Sequence, residues 1–201
     1  MAFLHLPSQI IQGFFLQNHT TFTMKKTLFT LLFAVALAFN SFCQSDAKAS
    51  TSAIKWITWE EAIALNQKQP RKIVVDVFTE WCGWCKRMDK GTFMDPAVAK
   101  YINENFYAVK LDAEQLEDIK FNAEVFKYVP NETGRGGVHA LAYALLDGKM
   151  GYPTMVYLNE KYERIMISPG YKETPDMLKE LKFAAEELYS KTTWEAYRNG
   201  K

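Results

Sequence analysis

The sequence predicts an α/β fold in which helices cover both faces of a central mixed β-sheet. Three observations support this prediction: a β-branched, apolar run over residues 72–78, a β-α-β order in the first half of the domain, and a β-β-α order in the second half. Alternating strands and helices favour parallel strands, and a closing hairpin adds antiparallel strands to the same sheet.

Helix start signals divide the first half of the domain. Thr58 and Glu61 have the spacing of a capping box, and Asp95-Pro96 places a capping residue before a proline at the first helical position. The predicted elements are a helix from Thr58 to about Asn66 that ends at Gln69-Pro70, a buried strand over Lys72–Phe78, helices over 83–92 and 96–104, and a strand over 106–111.

The second half is interpreted from composition and turn residues. These features predict a helix over 114–128, a glycine-rich loop over 130–137, a short apolar helix over 138–146 and a turn at Asp147-Gly148. A hairpin of 154–158 and 164–168 around Asn159-Glu160-Lys161 and a final amphipathic helix from Thr174-Pro175 to about Tyr189 complete the chain.

The N-terminal region has the pattern of an export signal. Residues 1–23 are expected to be a non-native upstream extension, residues 24–43 a signal peptide and residues 44–53 a linker. The signal combines a basic start, an apolar run and small residues before a cut ahead of Gln44. A retained membrane anchor and a lipid on Cys43 are the alternatives. Residues 54–201 form the predicted domain, with an insertion at about 115–150.

Composition excludes several classes of protein. The 201 residues carry a formal net charge of +1, which gives no reason to expect nucleic acid, an anionic membrane surface or an acidic substrate as partner. Of the three cysteines, Cys43 lies in the expected leader, so the domain keeps only Cys82 and Cys85. Two cysteines are too few for a disulfide scaffold or a four-cysteine zinc site, and no metal is expected.

Cys82 and Cys85 form a C-x-x-C pair where a buried strand becomes a helix. Free N–H groups and the helix dipole stabilise a thiolate at this position, so Cys82 is the expected nucleophile and Cys85 the resolving thiol. The alternative roles for this pair are a structural disulfide and half of a zinc site. No other cofactor is expected, since the pair itself carries the electrons.

The segment from Ile73 to Lys86, which reads IVVDVFTEWCGWCK, closely resembles the active-site segment of thioredoxins. The resemblance extends from about Lys55 to Tyr189 and includes Lys110-Leu111-Asp112, Tyr152-Pro153-Thr154 and Gly170. It implies a thioredoxin fold and exchange of disulfides with protein substrates. The segment from Met88 to Asn105 is similar to the secreted branch of this family, either DsbD-tail-like or thioredoxin-7-like.

The resemblance also implies roles for single residues. Asp76 matches an aspartate that exchanges a proton with the resolving cysteine, and Lys110 matches its lysine neighbour. Pro153 matches a cis-proline that presents the backbone of Tyr152 to a substrate. The alternatives are a water-facing acid, a solvated lysine and a trans proline at a strand start. Trp81, Gly83 and Trp84 are expected to contact substrate, with partial core packing as the alternative for the two tryptophans.

Two features depart from an ordinary thioredoxin. Trp84 replaces the usual proline between the cysteines, which leaves the direction of electron flow open. The insertion adds a glycine-rich stretch without the ending of a phosphate loop, and it is expected to lie near the Pro153 loop and shape partner choice. His139 is expected to be a packing or surface residue rather than a ligand.

We therefore predict a thiol–disulfide oxidoreductase of the bacterial periplasm, most simply a reductase supplied by a membrane electron donor. An oxidase or isomerase is the variant within this class. The alternative from another class is a non-catalytic binding module or chaperone that keeps the fold.

Overall fold

The structure, a computed structural model, describes residues 53–132 and 136–200. The expected upstream extension, the signal peptide, the first nine residues of the linker and Cys43 lie outside the described residues. So do residues 133–135, which belong to the predicted glycine-rich loop.

A five-stranded mixed sheet lies at the centre of the domain. The strands in chain order are β1 (Trp56–Ile57), β2 (Lys72–Phe78), β3 (Phe106–Asp112), β4 (Ile119–Phe121), β5 (Glu124–Phe126), β6 (Tyr128–Pro130), β7 (Gly137–His139), β8 (Thr154–Leu158) and β9 (Arg164–Pro169). The order in the central sheet is β1-β3-β2-β8-β9, where β1, β3 and β2 are parallel and β8 is antiparallel to β2 and to β9.

Helices cover both faces of this sheet. In chain order they are α1 (Trp59–Lys68), α2 (Gly83–Lys90), α3 (Pro96–Asn105), α4 (Ala140–Leu145), α5 (Thr174–Ala185) and α6 (Trp194–Arg198). Short 3-10 turns follow α2 at Thr92–Met94 and α5 at Leu188–Ser190. Within the described ranges, no helix is long and apolar enough to cross a membrane.

The alternation of side chains along β2 separates two hydrophobic clusters. Ile73, Val75 and Val77 pack with α1 and α4 on one face, while Val74 packs with α2, α3 and α5 on the other. Because successive strand residues point to opposite faces, Asp76 lies on the same face as Val74. That face carries α2, which begins with the cysteine pair.

The predicted capping signals are confirmed. Thr58 accepts a hydrogen bond from the Glu61 amide while the Glu61 carboxylate accepts one from the Thr58 amide, and α1 begins there. Asp95 accepts bonds from the amides of Ala97 and Val98 at the start of α3. The hairpin around Asn159 is also found. So is the turn at Asp147-Gly148, where both residues have backbone angles in the left-handed region.

The predicted helix over 114–128 is wrong. Strands β4 and β5 form a hairpin whose turn residues, Asn122 and Ala123, have φ values of 50° and 65°. Ile119 is buried and Phe121 and Phe126 are half-buried, all packed on one core cluster. Composition favoured a helix, but burial of these alternate side chains outweighs helix propensity here.

Two further boundaries differ from prediction. Pro130 and Gly137 pair across β6 and β7, so the two ends of the predicted glycine-rich loop are strand residues, and α4 begins only at Ala140. The predicted final helix stops at Ala185, because Glu187 adopts a left-handed φ of 55°. The short helix α6 then packs its aromatic side chains against Phe183 of α5.

Candidate active site

The two domain cysteines form a disulfide at the start of α2. Cys82 is the N-cap of the helix, and its Sγ accepts a hydrogen bond from the Cys85 amide at 3.1 Å. The Cys82 amide in turn donates to the carbonyl of Thr79, in the turn that follows β2. The strand–turn–helix arrangement thus brings an N–H donor to the first sulfur, where it would stabilise a thiolate.

Asp76 is a buried carboxylate on the α2 side of the sheet, with 1% of its surface exposed. Its Oδ2 lies 2.8 Å from the Lys110 ammonium, and its Oδ1 has no hydrogen-bond partner among the described residues. Burial raises the pKa of Asp76 to about 6, against the opposing attraction of Lys110. This carboxyl group can therefore bind and release a proton close to neutral pH.

Lys110 is held between two carboxylates and three aromatic rings. It pairs with Asp76 and with Asp89 of α2, and its ammonium lies 5.0–5.2 Å from the ring centres of Trp56, Phe78 and Phe93. Burial opposes the charge on this lysine, but the two carboxylates keep the pKa of Lys110 above its ordinary value. It is not the solvated strand lysine of the alternative interpretation.

Asp89 is a residue that the sequence analysis missed. It is four residues after Cys85, so both lie on neighbouring turns of one helix face. Its carboxylate binds Lys110, which also pairs with Asp76, so a short polar network connects Asp76 to the helix that carries Cys85. The spacing C-x-x-x-D within a predicted helix was the signal that could have identified it.

The Tyr152–Pro153 peptide bond is cis, and the carbonyl of Pro153 accepts a hydrogen bond from the Gly170 amide at 2.8 Å. The Tyr152 ring meets the edge of Trp81 with ring centres 5.8 Å apart. Trp81 is 66% exposed, and its indole donates to Glu114. Burial, together with the Glu114 and Asp112 carboxylates, raises the pKa of Tyr152 to about 12.

Trp84 lies on another side of the cysteine pair and is 54% exposed. Its ring contacts Tyr171, which follows β9, and the Arg87 guanidinium lies over both rings at 5.2 and 5.3 Å. Gly83 faces open space, since a Cβ added there would meet nothing within 4 Å. Trp81, Gly83 and Trp84 therefore provide accessible surface beside the disulfide.

His139 is fully buried away from this site. Its Nδ1 accepts from the Leu141 amide, so its Nε2 donates to the Glu117 carbonyl at 3.1 Å. The packing interpretation is therefore correct for this residue. In the part of the chain that the structure describes, no three His, Cys, Asp or Glu side chains are grouped to hold a metal ion.

Comparison with known families decides the assignment of this fold. The family model described as Thioredox_DsbH, protein of unknown function, DUF255, matches residues 43–195, which is more than half of the chain. The chain belongs to the Thioredox_DsbH family. It is also similar to a solved structure described as DsbH oxidoreductase, with a TM-score of 0.51 and 15% identity over 72% of this chain and 92% of that one. The predicted thioredoxin fold is confirmed.

Sequence relatives match only a part of this Thioredox_DsbH domain. An uncharacterized protein of Caenorhabditis elegans is 32% identical over 44% of this chain and 12% of its own length. The thiol:disulfide interchange protein DsbD of Vibrio vulnificus (strain YJ016) is 30% identical over 39% of this chain and 14% of its own length. The chain thus spans a small fraction of the length of these two relatives, and one of them is named for thiol–disulfide interchange.

Proposed function

We propose that this protein exchanges disulfides with protein clients through Cys82 and Cys85. The observation that carries the proposal is the Cys82–Cys85 disulfide at the N-terminus of α2, where the Cys85 amide donates to Cys82 Sγ. A helix N-terminus stabilises the anion that must attack. The two cysteines are both close to the surface aromatics Trp81 and Trp84, which supports access by a polypeptide.

The reaction consists of two successive thiol–disulfide exchanges. In the reductive direction, the Cys82 thiolate attacks one sulfur of a client disulfide, a mixed disulfide forms, and one client thiolate leaves. Cys85 then loses its proton and attacks the Cys82 sulfur, which releases the second client thiolate and closes the protein disulfide. Two electrons pass to the client, and a dithiol donor must reduce the protein again.

The proton of Cys85 needs an acceptor in the second step. Asp76 suits this role, because its carboxylate has one oxygen without a partner and a pKa near 6. Lys110 and Asp89 are positioning residues in this proposal: the lysine holds Asp76, and Asp89 connects that pair to the helix that carries Cys85.

The direction of electron transfer and the cellular location of the protein belong to the same proposal. The protein acts as a reductase in the periplasm, is exported by residues 24–43, and receives electrons from a membrane dithiol carrier. The export pattern of the sequence and the similarity to an interchange protein support this assignment. Tyr152 and Pro153 are the proposed pairing edge for an extended client segment.

A single-turnover experiment tests the exchange. Protein reduced with dithiothreitol and freed of it is mixed with insulin, and client thiols are counted. We expect one client disulfide to open per wild-type molecule, none with Cys82→Ser, and a trapped mixed disulfide with Cys85→Ser. If the reduced wild type opens none but suppresses aggregation of an unfolding client, the rival binding module would replace this proposal.

A further inference from the structure

A shallow groove lies on the exposed face of the active-site helix. It has a volume of about 470 Å³ and is lined by Gly83, Lys86, Arg87, Lys90, Gly91 and Tyr171. The α2 residues of this set are spaced i, i+3, i+4 and i+7, which places them along one helix face. The opposite face of the same helix buries Cys85 and Met88 in the domain. The groove therefore begins beside Cys82 and continues along α2.

Three cations line this groove, which we call the basic groove. Among the described residues, none of the ion pairs formed involves Lys86, Arg87 or Lys90. The protein as a whole carries a net charge of only +1, so this concentration of positive charge is local. The charge is also distributed asymmetrically about the cysteines. The Trp81 indole donates a hydrogen bond to the acid Glu114, whereas the Trp84 ring stacks under the guanidinium of Arg87.

Arg87 is fixed in place within the basic groove. Its guanidinium lies over both Trp84 and Tyr171, whose rings contact each other with centres 5.4 Å apart. A guanidinium held by two rings keeps its N–H groups available in one orientation, which suits bidentate binding of a carboxylate. The rings themselves offer a flat apolar surface to a polypeptide backbone.

We propose that the basic groove binds an acidic segment of the client polypeptide, next to the client cysteine that reacts with Cys82. This inference rests on the proposed exchange activity and names the kind of client that the same site prefers. The groove covers the eight helical residues from Gly83 to Lys90, and the rise along the helix axis from the first to the last is about 10 Å. An extended segment covers this distance in about three residues. The preferred clients carry Asp or Glu within about three residues of the reactive cysteine.

A polypeptide fits these features better than a flat anionic membrane does. The positive charge is confined to one helix face that adjoins the reactive sulfur, and Glu114 lies on the Trp81 side of the same site. A broad anionic surface would meet that carboxylate, whereas a single extended segment can follow the groove alone.

The test uses three peptide disulfides that differ only in charge. Two residues within three positions of each cysteine are both Asp, both Asn or both Lys. Protein freshly reduced and freed of reductant is mixed with each peptide, and the rate constant is divided by the rate of the same peptide with dithiothreitol. This division removes the effect of the flanking charges on the peptide sulfur itself.

With the wild type at low salt, we expect the Asp peptide to react about three- to tenfold faster than the Asn peptide, and the Lys peptide to react more slowly, because several exposed charge pairs each contribute modestly. The preference should nearly vanish in 1 M NaCl, where the screening length is about 3 Å. The double variant Lys86→Glu/Lys90→Glu should invert the order. Lys161→Glu, a single charge reversal of the same kind in the β8–β9 turn, should leave it unchanged.

The outcomes separate this inference from the proposed function. Reduction of all three peptides at equal normalised rates would overturn the acidic-client inference and leave the exchange activity standing. Equal rates together with co-sedimentation on phosphatidylglycerol vesicles would assign the groove to a membrane instead. Reduction of none of the peptides would overturn both proposals.

Discussion

At the scale of single residues, Asp76 ties the stability of the domain to pH. Its pKa in the folded protein is about 6, against an ordinary 3.8, so the folded state binds this proton more tightly than the unfolded chain does. The stability that comes from this proton is fully present below about pH 4 and is lost as the pH rises through 6. An ionised Asp76 therefore costs folding free energy at pH 8.

The variant Asp76→Asn should remove that cost. We expect its free energy of unfolding to exceed that of wild type at pH 8 by up to about 3 kcal/mol, and the difference to fade toward pH 4. The figure is an upper bound because Lys110 would lose one of its two carboxylates. Urea unfolding at both pH values measures it. A variant that is less stable than wild type at pH 8 would contradict the argument.

The same variant should slow the second exchange step. Without the Asp76 carboxylate, Cys85 must release its proton by another route, and a positioned base is typically worth 10²–10⁴-fold unless solvent substitutes for it. We expect the mixed disulfide to persist longer between pH 6 and 8, as measured by acid quenching and mass spectrometry. Asp89→Asn is the matched control for loss of one negative charge near Lys110. An unchanged lifetime in Asp76→Asn would restrict Asp76 to a structural role.

The two cysteines should differ in reactivity after reduction. Cys82 caps α2 and its sulfur accepts a hydrogen bond from the Cys85 amide, whereas Cys85 lies inside the first turn of the helix. The pKa of the Cys82 thiol should therefore be the lower of the two. With limiting iodoacetamide, peptide mapping should find the label mainly on Cys82. Preferential labelling of Cys85 would reverse the assigned roles.

At the scale of elements, Gly137 is a position in the β6–β7 hairpin at which the structure has no room for a side chain. A Cβ at this residue would lie 2.4 Å from the Val129 carbonyl oxygen and 2.6 Å from the Tyr128 ring. The backbone atom cannot move without separating the strands, so Gly137→Ala should lower the free energy of unfolding by about 1–3 kcal/mol. Gly151→Ala is the control, since its Cβ would meet nothing within 4 Å. Thermal unfolding of both variants measures the difference, and equal stabilities would contradict the clash.

Elements with local signals could be predicted from the sequence, and those without them could not. Thr58 with Glu61, Asp95 before a proline, and Asn159 in its turn each satisfy backbone groups within a few residues. Residues 114–128 carry no such signal. Their conformation depends on Ile119 and Phe126 reaching a core built by distant strands.

The candidate site divides in the same way. The contiguous segment from Asp76 to Cys85 contains the redox pair and could be recognised directly from the sequence. Asp89 required the helical spacing from Cys85 to be considered. Tyr171 and Glu114 could not be predicted, because tertiary packing alone brings them beside Trp84 and Trp81.

At the scale of the whole molecule, the region expected as an insertion is part of the core. Leu141, Leu145 and Leu146 pack in the same buried cluster as Val75 and Val77 of the central strand. A backbone hydrogen bond also joins it to the residue that follows β3, since the His139 amide donates to the Ala113 carbonyl at 2.7 Å. This region therefore covers the face of the sheet opposite the one on which α2 and the cysteine pair lie.

This packing predicts that the insertion and the sheet unfold together. Leu141 is 3% exposed, so Leu141→Ala should lower the stability of the whole domain by about 2–5 kcal/mol, the usual cost of truncating a buried leucine. Urea unfolding should remain a single transition, and hydrogen exchange should accelerate in β2 as much as in α4.

The matched control changes the same region outside the core. Residues 131–136 join β6 to β7 at the hairpin tip, where the Asn131 amide donates to the Gly136 carbonyl. Replacing these six residues by an Asn-Gly turn keeps the pairing of Pro130 with Gly137, so stability and reduction of a small disulfide should stay close to wild type. If α4 lost exchange protection in Leu141→Ala while β2 kept it, the region would be a separately folding appendage.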